Sequence, residues 1–83
     1  MKLPRDLGGD ELAKILRKYG FQTTRQTGSH IRLTSTTKGE RHLTIPKHRP
    51  LKIGTLSSIL SDVASYLKKD KQIIIEELFG RGK

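Results

Sequence analysis

The sequence predicts an α+β domain in the order α-β-β-β-α, closed by a short C-terminal helix, with a three-stranded antiparallel sheet and two helices on one face. Three observations carry that expectation. Apolar residues recur at helical spacing before Gly20 and again after Gly54. Between those stretches lie three short runs rich in threonine and β-branched residues. A glycine, Gly28 or Gly39, stands at each junction between the runs.

The first helix is read from Leu12, Ile15, Leu16 and Tyr19, which follow the i, i+3, i+4, i+7 pattern of one buried face. Gly8 or Asp10 caps its start, Glu11 suits the positive end of its dipole, and Gly20 ends it. The strands are expected over Phe21–Arg25, Ser29–Ser35 and Glu40–Ile45. Gln26-Thr27-Gly28 and Thr37-Lys38-Gly39 suit three-residue hairpin loops with glycine at the left-handed position, so Gly28 and Gly39 are read as structural turn residues. That register pairs Ile31 with Thr23 and Ile45, pairs Leu33 with Phe21 and Leu43, and sets Pro46 opposite His30. His30, Arg32, Thr34, His42 and Thr44 then share the other face, which an antiparallel sheet leaves to solvent. A two-residue first loop would instead set Arg25 opposite His30 and turn Phe21 outward; the register that buries Phe21 is preferred.

Ile45-Pro46 ends the third strand. Lys47-His48-Arg49-Pro50 is a basic loop that begins beside His30. Leu56, Ile59, Leu60, Val63 and Leu67 form a second amphipathic helix, starting near Gly54-Thr55 with Thr55 as its cap and with backbone N–H groups free to hold an anion. Ile73, Ile74, Glu77 and Leu78 point to a short third helix, and Gly80-Arg81-Gly82-Lys83 is expected to fray. The 83 residues form one domain, 1–83, with a compact part over about 7–68 and a terminal helix over about 70–79.

Charge narrows the function. The chain has 17 Lys and Arg against 8 Asp and Glu, a net of +9. The excess is confined: between Leu12 and Ser61 there are ten bases and one acid, Glu40, whereas the remainder is balanced. A confined positive field suits a polyanion. No helix is both basic on one face and strongly apolar on the other, which disfavours an anionic membrane. There is no cysteine, hence no disulfide framework and no thiolate metal site. The longest apolar run is Ile73-Ile74-Ile75, and the N-terminus lacks a signal-peptide core, so an intracellular, cytoplasmic protein is expected. The three histidines are not at zinc-ligand spacing and the His30 face carries no carboxylate, so neither a metal nor another cofactor is expected.

Read alone, His30 is an ordinary strand-surface histidine. More is implied by the company it keeps. Gly20-Phe21 after the first helix, Arg25-Gln26-Thr27-Gly28-Ser29-His30, Ile45-Pro46 with His48, and Ile53-Gly54-Thr55-Leu56 with Ile59-Leu60 occur in the order and spacing of one family. On these residues the chain resembles the HicA (YcfA-like) toxins, the mRNA interferase components of type II toxin–antitoxin systems, from about Lys2 to Gly80. The resemblance implies a double-stranded-RNA-binding-like fold and a metal-independent endoribonuclease acting on single-stranded mRNA. It also implies that His30 is catalytic and that the partner is a HicB-type antitoxin covering its face.

The chemistry is consistent with that. RNA brings its own nucleophile, the 2′-OH; a base must take its proton and an acid must protonate the leaving 5′-oxygen. An imidazole serves either role. His48 is a possible second proton carrier or a polar loop residue beside Pro50. His42 lies about 13 Å along the sheet, too far for the same phosphate. Ser29 precedes His30, points to the opposite face and satisfies turn backbone. Arg25, Arg32, Lys47, Arg49 and Lys52 are the RNA-binding cations. The second reading is a non-catalytic double-stranded-RNA-binding module, although only Lys52 precedes the second helix where such modules hold phosphates. A helix-turn-helix DNA regulator is disfavoured, because the sheet separates the two main helices.

Overall fold

The computed structural model describes residues 3–80. The order is α1 (Gly9–Ile15, continued by a 3₁₀ turn, Leu16–Tyr19), β1 (Gln22–Gln26), β2 (His30–Ser35), β3 (Arg41–Pro46), α2 (Ile53–Leu67) and α3 (Lys71–Phe79). The three strands form one antiparallel sheet in the order β1-β2-β3. This is the α+β arrangement expected, with α1 and α2 against one face and α3 packed on α2.

Each helix starts where its local chemistry allows. Gly8 caps α1 in an extended conformation, and since it has no side chain, Glu11 closes the first turn by accepting the Gly8 N–H at 2.8 Å. Gly20 ends the 3₁₀ turn at φ +89°, a conformation that costs glycine nothing. α2 begins three residues earlier than expected: Lys52, not Thr55, is its N-cap, and Thr55 is the third helical residue. Asp70 caps α3 by accepting the Gln72 N–H at 2.9 Å. The expectation for residues 81–83 lies outside the described residues.

The second hairpin has the expected register. Ile31 faces Ile45, Leu33 faces Leu43 and His30 faces Pro46. The apolar residues of those pairs are buried under Leu12, Leu16, Leu56 and Leu60. The first hairpin does not have the expected register. Thr23 pairs with Leu33 and Arg25 with Arg32, with a bulge at Thr24 between them. The loop is a tight turn around Gly28-Ser29, because the Thr27 N–H donates to the His30 carbonyl at 2.9 Å. Gly28 has no left-handed φ, unlike Gly39 at +95°. Phe21 is buried all the same, since it precedes β1 and inserts beneath the sheet against Tyr66, ring centroids 5.4 Å apart. All five residues of β1 are exposed. Gln-Thr-Thr-Arg-Gln offers no apolar side chain, so neither helix gains by covering it.

Ties across the fold fix the ends of the sheet. Tyr66 on α2 accepts the Lys38 N–H at 2.9 Å and donates to the Gly39 carbonyl at 2.6 Å, holding the β2–β3 turn. At the other end, the first turn of α1 comes so close to β3 that a Cβ on Gly9 would lie 1.9 Å from the Pro46 carbonyl oxygen. α3 is fastened by Glu77, which accepts from the Tyr19 hydroxyl at 2.5 Å and from Lys69 at 3.2 Å.

Candidate functional site

His30 opens β2, and the turn before it presents it. The Thr27 hydroxyl accepts the N–H groups of Ser29 (3.3 Å) and His30 (3.0 Å). A threonine that closes a turn on its own backbone leaves Ser29 for another task. The Ser29 hydroxyl lies 3.0 Å from Nδ1 of the His30 ring. The expectation for Ser29 is therefore reversed: Thr27 satisfies the turn, and Ser29 orients the imidazole. Nε2 has no protein partner among the described residues.

His30 borders a groove of about 480 Å³ between the outer edge of β3 and α2. Thr44 and Pro46 contribute from β3, and Thr55, Ser58 and Asp62 from α2. Of these, Thr55 is expected only as a helix cap and Ser58 and Asp62 carry no sequence expectation for the site, although the three recur at helical spacing and so mark a polar stripe. The expected absence of a carboxylate on this side is also corrected. Asp62 reaches the groove from the helix, where it pairs with Arg41 at 3.4 Å.

The bulge in β1 shapes the cationic part. Thr24 Oγ1 bonds Thr34 Oγ1 at 2.9 Å on the open face, and the next residue, Arg25, pairs with Arg32 on that same face. Without the extra residue, Arg25 would alternate onto the helix side with Thr23. On its other side Arg32 faces Thr44. Neither arginine has a carboxylate partner among the described residues.

The basic loop is pinned by backbone bonds. The Lys47 N–H donates to the Ser29 carbonyl at 2.9 Å, the Gly9 N–H to the His48 carbonyl at 2.9 Å, and the Leu51 N–H to the Leu7 carbonyl at 2.8 Å. Lys47 is thereby set beside the His30 turn. The side chains of Lys47 and His48 are exposed and have no polar partner among the described residues. Arg49 is engaged elsewhere: its guanidinium meets Glu11 at 2.5 Å, and that carboxylate also caps α1. The Gly8 N–H bond above all, and then Arg49, hold the Glu11 carboxyl below its ordinary value. Lys52 stands at the start of α2, whose first turn has neither an acidic residue nor a side-chain cap. The first N–H groups of that helix have no intrahelical acceptor and favour an anion.

His42 is not part of this assembly. Its Nδ1 lies 2.8 Å from Thr34 Oγ1 and its Nε2 3.2 Å from Glu40, so both ring nitrogens are occupied at the far end of the sheet.

Together these features define a small basic α+β domain that gathers cations around one histidine on the open side of its sheet. The chain belongs to the HicA toxin family: the family described as HicA toxin of bacterial toxin–antitoxin matches residues 9–64, from the start of α1 into α2. No curated protein and no solved structure matches the chain. Among the described residues, no helix is long and apolar enough to cross a membrane.

Proposed function

We propose that the protein is a metal-independent endoribonuclease that cleaves single-stranded mRNA in the cytoplasm, with His30 carrying a proton at the scissile phosphate. One observation carries the reading. His30 borders the groove and is held at Nδ1 by Ser29, with Nε2 unpartnered and Arg25 and Arg32 without a carboxylate partner among the described residues.

The 2′-hydroxyl attacks phosphorus as its proton leaves. The P–O5′ bond breaks as the 5′-oxygen gains a proton, leaving a 2′,3′-cyclic phosphate. A hydroxyl at Nδ1 is suited to either half of this exchange, because it donates to a ring that is basic at Nδ1 and accepts from one protonated there. Arg25, Arg32, Lys47 and Lys52 supply cations for the phosphate oxygens, and His48 is available as the second proton carrier. The groove's carboxylate, Asp62, already faces Arg41, and a divalent ion needs a larger set of oxygen ligands. An antitoxin of HicB type, acidic where it meets this face, would neutralise the cations and block the groove.

Incubating purified protein with single-stranded RNA in EDTA tests the reading. Cleavage that survives EDTA and is lost in His30→Ala is expected. Intact RNA together with tight duplex binding would instead identify a double-stranded-RNA-binding module.

A further inference from the structure

A second recess lies on the opposite side of the sheet. α1 and β1 enclose a groove of about 430 Å³, floored by Ala13 and Ile31, with Lys14 and Arg17 on the helix side and Gln22, Thr23 and Gln26 on the strand side. It exists because β1 has no apolar residue to draw α1 over it. Its size is that of a small-ligand pocket.

The polar side chains of this groove are unspent. On the open face, Thr24, Thr34, His42 and Glu40 bond one another in a chain. In the groove, the side chains of Lys14, Arg17, Thr23 and Gln26 have no hydrogen bond or ion pair among the described residues. Asp10, at the rim, accepts the Glu11 N–H at 2.9 Å. Two cations and the amide of Gln26, whose partner Ile31 lies on the helix side, thus meet without serving the fold, whereas Gln22, opposite Thr34, lines the groove with its backbone end. A cation holds phosphate, while an amide donates and accepts at once, as a base edge requires. Position adds to the argument. Gln26 pairs with Ile31, the residue after His30, so the groove begins at the hairpin that carries the histidine and runs away from it along β1.

We propose that this groove binds the single-stranded RNA that flanks the cleaved bond, with Lys14 and Arg17 holding its phosphates and Gln26 contacting a base edge. The proposal rests on the ribonuclease reading above and adds a subsite to it: the RNA crosses the Thr27–His30 turn and continues on the helix side.

The test uses His30→Ala protein, which leaves the RNA intact, and a labelled single-stranded RNA titrated at several salt concentrations. Adding Lys14→Ala and Arg17→Ala is expected to flatten the log K against log salt plot by about 1.4, at ~0.7 per lost phosphate contact on a single strand. Lys38→Ala, at the far turn, is the control and leaves the slope in place. An unchanged slope in the double variant overturns the subsite, while EDTA-resistant, His30-dependent cleavage leaves the ribonuclease reading standing. A protein that neither binds nor cleaves single-stranded RNA overturns both. Should the double variant fold poorly, the side-chain NH₂ resonance of Gln26 in His30→Ala protein decides the matter. Movement on adding RNA supports the subsite, and no movement sinks it.

Discussion

Arg25 stands directly opposite Arg32 across the β1–β2 pair, placed there by the bulge at Thr24. Like charges facing each other on adjacent strands cost about 0.2–1 kcal/mol, and no acidic side chain among the described residues offsets this pair. The arrangement is favourable once an anion lies between the guanidinium groups. Arg25→Gln is therefore expected to raise the stability of the free protein by about 0.2–1 kcal/mol at low salt and to weaken RNA binding. The gain should fade as salt screens the pair. Urea unfolding at two ionic strengths, beside an RNA titration, measures both effects. A variant less stable than the parent with RNA affinity intact would mean that the pair serves the sheet and not a ligand.

Ser29 touches the ring of His30 at the nitrogen away from the proposed substrate. Ser29→Ala should lower the cleavage rate by roughly one to two orders of magnitude, part of the 10²–10⁴ that a positioned proton carrier contributes. Binding of a 2′-O-methyl RNA should not change, and Ser29→Thr should recover most of the rate. Equal losses in binding and rate would show that the serine shapes the turn and does not orient the ring.

Gly9 and Gly28 look alike in the sequence but differ in the fold. A Cβ on Gly9 would meet the Pro46 carbonyl oxygen at 1.9 Å, whereas one on Gly28 meets nothing within 4 Å. Gly9→Ala should cost at least ~2 kcal/mol by overpacking backbone against backbone, and Gly28→Ala should stay within about 0.5 kcal/mol of the parent. Chemical denaturation of the two variants side by side is the measurement.

Acid should loosen the C-terminal helix. The hydrogen bond from Tyr19, then that from Lys69, holds the Glu77 carboxyl below its ordinary value of 4.5. Burial, then the bond to Glu77, raises the Tyr19 phenol. A carboxyl lowered by folding stabilises the fold fully above its unfolded value, and that contribution is lost as pH falls through the folded value. Stability should therefore decline below about pH 4.5 more steeply in the parent than in Glu77→Gln. Thermal melts between pH 6 and 3 would reveal it, and parallel curves would remove Glu77 from the account.

What the sequence made legible follows from where apolar residues lie. Ile31, Leu33, Leu43 and Ile45 alternate on two strands, so a one-residue slip would expose all of them, and the β2–β3 register is determined. β1 has no such residue, so nothing in Gln22–Gln26 announces its register, its bulge or the placement of Arg25 beside Arg32. Histidine at the head of β2 could be placed by alternation. Its bond to Ser29 could not, because that depends on Thr27 taking over the turn. Arg49 looked like one more cation of the basic loop, and only the tertiary approach of α1 shows its partner, Glu11. Likewise the polar stripe of α2 is visible in sequence, but not that it flanks the free edge of β3.

The bareness of β1 has a dynamic consequence. Most of the sheet is secured by buried side chains, yet this strand is held by its ladder to β2, by the turn at Thr27 and by the anchor of Phe21 just before it. Segments with little buried apolar surface open locally at the lowest free energy. The amides of Gln22–Gln26 should thus be among the first in the sheet to exchange with solvent deuterium. Arg25 rides on that segment, and so does the Gln26 amide of the α1–β1 groove. Much of what would grip an RNA strand is therefore carried by the part of the sheet that breathes most, and an occupant on either side of β1 would act as the missing packing that quiets it.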